Sequence, residues 1–366
     1  MLLTISVAMV GLGIMNNILV VCEPEAPVFI FGDSTVDVGT NNHLADSKAR
    51  ADFLFYGIDF LDSKPTGRFS NGLNTADWIA IELGFKKSPP PFLFLLQNDT
   101  QNFKKQILKG VNFASGGAGL LIDTGKSNFI RVIPMAEQIQ QFATVHSNIT
   151  EVLLNDNAEA MMNKSFFLIS VGSNDIFDFF ASNKNVTNDT QILQDFLNDL
   201  MSNYQNHLKN LIDLGARKFG IISVPAVGCC PVQLVINGTS GCMDGLNAFA
   251  QVFNTALSDL LQNLSSEFPD MKYSLGNSYE MTVSMITNPL PFGLNEVKFA
   301  CCGNGTSFNA ENPCSPDAQV CQERNKYLFW DQFHPTQAAA RLAALTFFGG
   351  SPPYVSPFNF TQLVRA

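Results

Sequence analysis

The sequence has little charge, and most of that charge is negative. Only 15% of its 366 residues are Asp, Glu, Lys or Arg, and 32 acidic residues against 22 basic ones leave a net charge of -10. No cluster of Lys and Arg offsets this balance, so the chain would repel phosphate groups and we expect no nucleic acid partner. The 46% of hydrophobic residues excludes intrinsic disorder and predicts a globular protein.

Several sequence patterns are also missing. No internal repeat or linker divides the chain, so its length fits one large α/β domain with insertions. Neither G-x-G-x-x-G nor the G-K-[ST] ending of a Walker loop is present, which argues against a phosphate-binding loop at the glycines of residues 115–119. Adjacent cysteines replace the C-x-x-C spacing of structural zinc sites, so we predict no metal site.

The N-terminal residues 1–22 are almost wholly apolar and are followed by Glu23, Pro24 and Glu25. This pattern predicts a secretory signal peptide ahead of a single domain at residues 23–366, and hence a secreted, extracellular protein of the cell wall space. A membrane anchor is the alternative. The apolar run is shorter than the roughly 20 residues of a spanning helix, and no other stretch approaches that length, so we expect no stable membrane span.

Cysteines and glycosylation signals agree with secretion. Removing the signal peptide leaves seven of the eight cysteines, and short spacings predict local disulfides among six of them, with Cys230 as the free thiol: Cys229, Cys242, Cys301, Cys302, Cys314 and Cys321. Nine N-x-S/T sequons predict a glycoprotein: Asn98, Asn148, Asn163, Asn185, Asn188, Asn237, Asn263, Asn304 and Asn359.

Short apolar runs alternate with amphipathic helical patterns along the chain. Predicted strands are residues 28–31, 110–114, 166–171, 219–224 and 273–275, and two long helical stripes cover residues 192–212 and 246–264. The first run has no polar alternation, which is typical of a strand buried on both faces. The order predicts a parallel sheet with helices on both sides. Between these elements, residues 88–96 carry three prolines and favour an extended segment, with a hydrophobic lip for acyl chains as the alternative.

Two polar motifs flank this pattern. Gly32 ends the first strand and places Asp33 and Ser34 in a turn, where Ser34 is either a nucleophile or part of a helix N-cap. Far downstream, Asp331 lies three residues before His334, a spacing that lets the carboxylate orient the imidazole of a general base. The alternative for that pair is a carboxylate at a helix start beside a surface histidine. The other three histidines lack such a setting, and His146 and His207 are predicted to be helical and solvated.

The motifs together resemble the plant GDSL esterase/lipase family, within the wider SGNH hydrolases, over nearly the whole chain. The matching stretches appear in the family's order: FGDSTVDVGTNN at 31–42, SKPTGRFSNG at 63–72, GVNFASGGAG at 110–119, SVGSND at 170–175, VPAVGCCP at 224–231, ACCGNG at 300–305 and YLFWDQFHPT at 327–336. Two departures are Thr40, inside what is often a G-N-N run, and Cys230, in the variable place of G-C-x-P. The second leaves the disulfide assignment open.

The resemblance implies a fold and a chemistry. The fold is a flavodoxin-like three-layer sandwich with a five-stranded parallel sheet flanked by helices. The activity is hydrolysis of carboxylic esters, with Ser34, Asp331 and His334 as the catalytic triad and the Ser34 amide, Gly117 and Asn174 as oxyanion donors, without a cofactor. The expected substrate is a small-molecule, lipid or glycan ester. Acyl transfer, polysaccharide deacetylation and a binding or defence role on the same fold remain alternatives, and the oligomeric state stays open.

Overall fold

The computed structural model describes residues 26–183 and 189–366. The predicted signal peptide at 1–22 and the sequons Asn185 and Asn188 lie outside these residues. Seven described sequon asparagines are half-buried or exposed: Asn98, Asn148, Asn163, Asn237, Asn263, Asn304 and Asn359.

A six-stranded sheet forms the centre of the molecule. In chain order the strands of the protein are β1 (Val28–Gly32), β2 (Gly110–Asn112), β3 (Phe166–Ser170), β4 (Lys218–Ile222), β5 (Lys272–Gly276), β6 (Glu296–Ala300), β7 (Cys302–Gly303), β8 (Gln319–Val320), β9 (Tyr327–Phe329) and β10 (Val355–Ser356). The central sheet has the order β10-β5-β4-β3-β1-β2, in which β1 to β5 are parallel and β10 pairs antiparallel with β5. The five predicted parallel strands and their flavodoxin-like order are confirmed, and the short sixth strand is an addition that the sequence pattern missed.

Helices cover both faces of the sheet. They are α1 (Thr75–Glu82), α2 (Phe92–Asn98), α3 (Phe103–Gln106), α4 (Lys126–Phe129), α5 (Met135–Leu153), α6 (Asn155–Lys164), α7 (Ser173–Ser182), α8 (Thr190–Asp213), α9 (Pro231–Asn237), α10 (Asp244–Glu267), α11 (Ser278–Thr287), α12 (Gln337–Gly349) and α13 (Phe360–Arg365). No helix in this described part of the chain is long and apolar enough to cross a membrane.

Strand β1 shows why its run of apolar residues does not alternate with polar ones. Phe29 and Phe31 pack into the core formed with α5, α8 and α10, where Phe142 of α5 meets Phe29 edge-on at 5.0 Å between ring centroids. Val28 and Ile30 point to the opposite face and join the core of α1, α12 and α13. Both faces of β1 are therefore buried, as a strand in the middle of a parallel sheet requires.

Some local expectations were wrong. Residues 92–98 form helix α2 instead of continuing an extended segment, because the prolines end at Pro91, which serves as the residue before the helix. The sequence pattern predicts helices at 135–145 and 151–162, whereas α5 runs on to Leu153 and α6 begins at Asn155. The sequence predicts that Pro335 starts a helix, whereas α12 begins two residues later, at Gln337.

Three disulfides link cysteines that are close in sequence. The pairs are Cys229–Cys242, Cys301–Cys321 and Cys302–Cys314, and Cys230 is a buried free cysteine, as predicted. The second and third bridges lie in a small apolar cluster with Trp330 and Tyr56. The two bridges close the segment 301–321 on itself, and this segment packs against Trp330, four residues before His334.

Candidate active site

Ser34 lies in a sharp turn at the carboxyl end of β1. Gly32 has a φ of 141°, and a Cβ there would lie 2.0 Å from the Ser170 carbonyl oxygen, so the turn accepts only glycine. The Asp33 amide donates to that carbonyl, and the Asp33 carboxylate accepts hydrogen bonds from the amide and hydroxyl of Thr35. Residues 34–36 form a turn, so the N-cap alternative is wrong.

His334 and Asp331 approach Ser34 from the loop before α12. The His334 Nε2 lies 2.7 Å from the Ser34 Oγ, and the His334 Nδ1 lies 2.8 Å from both carboxylate oxygens of Asp331. Thr336, and not Asp331, caps α12, since its Oγ1 accepts the Ala339 amide. The helix-start alternative for Asp331 is therefore wrong.

Asp331 is buried and fully surrounded by donors. Its Oδ1 accepts the amides of Phe333 and His334, and its Oδ2 accepts the hydroxyl of Tyr56 at 2.7 Å. Burial works against ionisation, but the adjacent His334 and these amides outweigh it and hold the pKa of Asp331 below its usual value. Asp331 is therefore an ionised, fixed partner for the imidazole.

Tyr56 is a member of this chain of hydrogen bonds that the sequence analysis missed. Burial and the neighbouring Asp331 charge raise the pKa of Tyr56 well above its usual value, so the phenol stays protonated and donates. The tyrosine lies 275 residues before its partner. Only its position close to the matched stretch SKPTGRFSNG hinted at a role.

The three expected oxyanion donors line the same cavity as Ser34 and His334. Asn174 lies in the first turn of α7, and its Nδ2 donates one hydrogen to the Ala118 carbonyl at 2.9 Å. The amides of Ser34 and Gly117 donate no hydrogen bond to the described part of the chain. Gly117 has a φ of 81°, and a Cβ there would lie 2.5 Å from the Phe129 ring. A second Asn174 hydrogen and two backbone amides are thus available to an oxygen atom in the cavity.

Two buried carboxylates hold the loop that carries Gly117. Asp37 accepts the Gly116 amide at 2.8 Å, and Asp175 accepts the amides of Leu120 and Leu121 and the hydroxyl of Thr124. Burial raises the pKa of each carboxyl to about 6, against the opposing effect of these hydrogen bonds. Both aspartates lie inside the matched stretches, but the sequence patterns assigned them no role.

His207 corrects the expectation of a solvated histidine. It is buried beneath the same loop, with its Nε2 3.0 Å from the Leu120 carbonyl oxygen, and burial lowers its pKa. Helix α8 packs this part of its surface against the body of the protein, so the residue is not free to face solvent. His146 is half-buried, and His43 lies 3.0 Å from the Gln97 side chain.

In the described residues no cluster of three or more His, Cys, Asp or Glu side chains has the arrangement of a metal site.

Comparison with known proteins places this chain in a family. The family model described as GDSL-like lipase/acylhydrolase matches residues 28–347. The chain belongs to the GDSL lipase/acylhydrolase family. One GDSL esterase/lipase of Arabidopsis thaliana is 38% identical over 92% of this chain and 89% of its own length. Two others from the same plant are 35% and 36% identical, with 92% of this chain covered in both and 90% and 87% of their own lengths.

Membership in this family makes the protein a carboxylic ester hydrolase. A solved α/β hydrolase, LAE5 from the metagenome of Lake Arreo, aligns with a TM-score of 0.35 and 12% identity over 89% of this chain and 95% of its own. A superposition this weak supports no inference about the site. The roles of the residues around Ser34 stay predictions.

Proposed function

We propose that this protein is a secreted serine esterase that hydrolyses carboxylic esters through Ser34, His334 and Asp331. The observation that carries the proposal is the continuous line of short contacts from Ser34 Oγ to His334 Nε2 and from His334 Nδ1 to Asp331. This is the arrangement that a serine needs to become a nucleophile.

The reaction has two halves. In the first, the Ser34 Oγ attacks the ester carbonyl carbon while the His334 Nε2 takes its proton, and Asp331 stabilises the imidazolium that forms. The carbonyl oxygen becomes negative and receives hydrogen bonds from the Ser34 and Gly117 amides and the Asn174 Nδ2. As the tetrahedral species collapses, the proton on His334 passes to the departing alkoxide and an acyl serine remains.

In the second half, water replaces the alcohol. The His334 Nε2 accepts a proton from the water as its oxygen attacks the acyl carbonyl, and the same donors stabilise the second oxyanion. Collapse returns the proton to the Ser34 oxygen and releases the carboxylic acid. An alcohol in place of water at this step would give acyl transfer, so water and acceptor alcohols compete for the same acyl enzyme.

The test of the proposal is turnover of p-nitrophenyl acetate by five proteins: the wild type, Ser34→Ala, His334→Ala, the double variant of these two and Asp331→Ala. Ser34→Ala and His334→Ala should each lose nearly all activity, and the double variant should be little worse, since residues that act as a unit are not additive. Asp331→Ala should lower turnover less than Ser34→Ala or His334→Ala does. Circular dichroism checks that all variants are folded.

Activity that survives His334→Ala near the original rate would show that another base serves Ser34. A wild type with no activity on any carboxylic ester would favour the binding or defence role instead.

The secreted state is also part of this proposal. The apolar segment at 1–22, three local disulfides and the sequons support it. Expression of the full chain in plant cells tests it. The protein should be found in the extracellular fluid, lacking residues 1–22 and shifted in mass by glycosidase treatment, and retention inside the cell with an intact N-terminus would contradict the proposal.

A further inference from the structure

The cavity at Ser34 continues inward along helix α12. It has a volume of about 340 Å³, and its lining includes Ala339, Ala340, Ala343 and Phe347 of that helix. At 1.5 Å of rise per residue, the step from Ala339 to Phe347 covers about 12 Å. The cavity therefore reaches well beyond the place where an ester group would meet Ser34.

The inner part of the cavity is apolar. Besides the α12 alanines, its lining includes large buried side chains: Ile222, Met285, Leu328 and Phe329. Two hydroxyls among the lining residues have partners within the protein: Thr282 donates to the Ser278 carbonyl at 2.8 Å, and Ser223 accepts the Ser278 amide at 3.0 Å. An apolar chain loses no hydrogen bonds to water on entering this part, whereas a polar group loses those that the lining does not replace.

The outer part of the cavity is open to solvent and carries the polar and charged side chains of the lining, beside the exposed ring of Phe333. Its lining includes Lys48 and Asn128, both exposed, together with Arg50 and Gln332, which are half-buried. The two ends of one cavity thus differ in chemistry, with Ser34 and His334 between them. An ester that spans Ser34 would therefore place one of its two substituents in each environment.

We propose that the inner part binds the saturated acyl chain of the substrate, up to about ten carbons, and that the alcohol lies at the polar mouth. This inference rests on the proposed esterase function. The alcohol departs first and needs a path to solvent, whereas the acyl group stays on Ser34 and can remain enclosed. With bonds of about 1.5 Å and angles near 111°, an extended chain advances about 1.25 Å per carbon, so about ten carbons fill 12 Å.

The first experiment measures kcat/KM of the wild type on p-nitrophenyl esters from acetate to palmitate, below their aggregation limits. Each methylene moved out of water favours binding by about fourfold, so even partial burial should raise kcat/KM at least tenfold from acetate to decanoate. It should then fall for palmitate, which exceeds the cavity. A profile that declines steadily from acetate, or that is flat to palmitate, would overturn the proposal. Absence of hydrolysis of every ester would instead refute the esterase function.

The second experiment fills the cavity. Ala343→Leu narrows it, whereas Ala338→Leu makes the same change at another half-buried alanine of α12 that does not line the cavity. Ala343→Leu should lower kcat/KM for decanoate at least tenfold and change kcat/KM for acetate less than twofold. Ala338→Leu should leave the ratio of the decanoate value to the acetate value unchanged. An unchanged ratio in Ala343→Leu would refute the placement of the chain. If that variant is inactive on acetate, Ala343→Val gives the same comparison with a smaller side chain.

Discussion

Replacing Tyr56 with phenylalanine deletes a single oxygen atom from the line of groups behind Ser34. The lost contact is the 2.7 Å hydrogen bond from the phenol to the buried Asp331 carboxylate. A hydrogen bond to a charged group contributes about 1.5 to 3 kcal/mol. Asp331 keeps the amides of Phe333 and His334, so we expect a loss of about 2 kcal/mol in the free energy of unfolding.

The effect of Tyr56→Phe on turnover should be smaller than its effect on stability. The two remaining amides still fix the carboxylate against the His334 Nδ1, so the imidazole keeps its orientation. We expect kcat to fall less than tenfold, or less than about 1.4 kcal/mol of activation free energy, with KM unchanged. A loss as large as that of Asp331→Ala would show that Tyr56 does more than position the carboxylate.

The loss of stability in Tyr56→Phe should depend on pH. The pKa of Asp331 in the folded protein lies below 3.8, so ionised Asp331 contributes stability above that pH and loses it as the pH falls through the folded pKa. The difference between the wild type and Tyr56→Phe should therefore be constant from neutral pH to about pH 4 and shrink below it. Urea unfolding across this range measures it.

Tyr273→Phe is the matched control, because the Tyr273 hydroxyl makes no side-chain hydrogen bond within the described chain and lies on β5, away from the cavity. If Tyr56→Phe lowers the free energy of unfolding no more than Tyr273→Phe does, the hydrogen bond to Asp331 does not contribute as proposed.

Three further changes test the surroundings of Ser34. Asn174→Ala should lower kcat on p-nitrophenyl acetate about 100- to 1000-fold with folding unchanged by circular dichroism, and near-normal turnover would make Asn174 a turn residue. Because burial raises the pKa of Asp175 from 3.8 to about 6, its contribution to stability is complete below pH 3.8 and lost as pH rises through 6. On acidification from pH 7 to 4, the free energy of unfolding of Asp175→Asn should therefore rise by up to about 3 kcal/mol less than that of the wild type, as measured by urea unfolding. An equal rise in the two proteins would contradict this. Replacing Cys302 and Cys314 with serine should cost about 2 to 4 kcal/mol in the same assay, and no loss would show that the bridge is dispensable.

Much of the fold is readable from short stretches of sequence. The run at 28–31 is apolar at every position because both faces of β1 are buried, and that requirement acts on each residue separately. The stripe of apolar residues at 192–212 likewise records one buried face of α8. Glycine at position 32 reflects a local need as well, since the backbone there has a positive φ.

The matched stretches also predicted which residues meet at Ser34. Asp331 and His334 are three residues apart, so their contact is local and visible as a motif. The approach of His334 to Ser34, 300 residues away, was inferred from the lack of another suitably placed histidine and from the resemblance. No property of either segment alone specifies that the loop before α12 ends beside β1.

The tertiary structure alone decided the rest of the site. Tyr56 lies in a stretch without strand or helix periodicity, and its hydroxyl finds Asp331 only because the segment around it folds over Trp330. His207 shares the helical spacing of the buried stripe of α8, but its contact with the loop at 120 depends on how the two segments pack together. The cavity beside Ala343 depends on the volumes of side chains from α11, α12, β4 and β9 together. Local sequence records what a single residue requires of its own backbone and burial, whereas these features arise from the packing of segments that are distant in the chain.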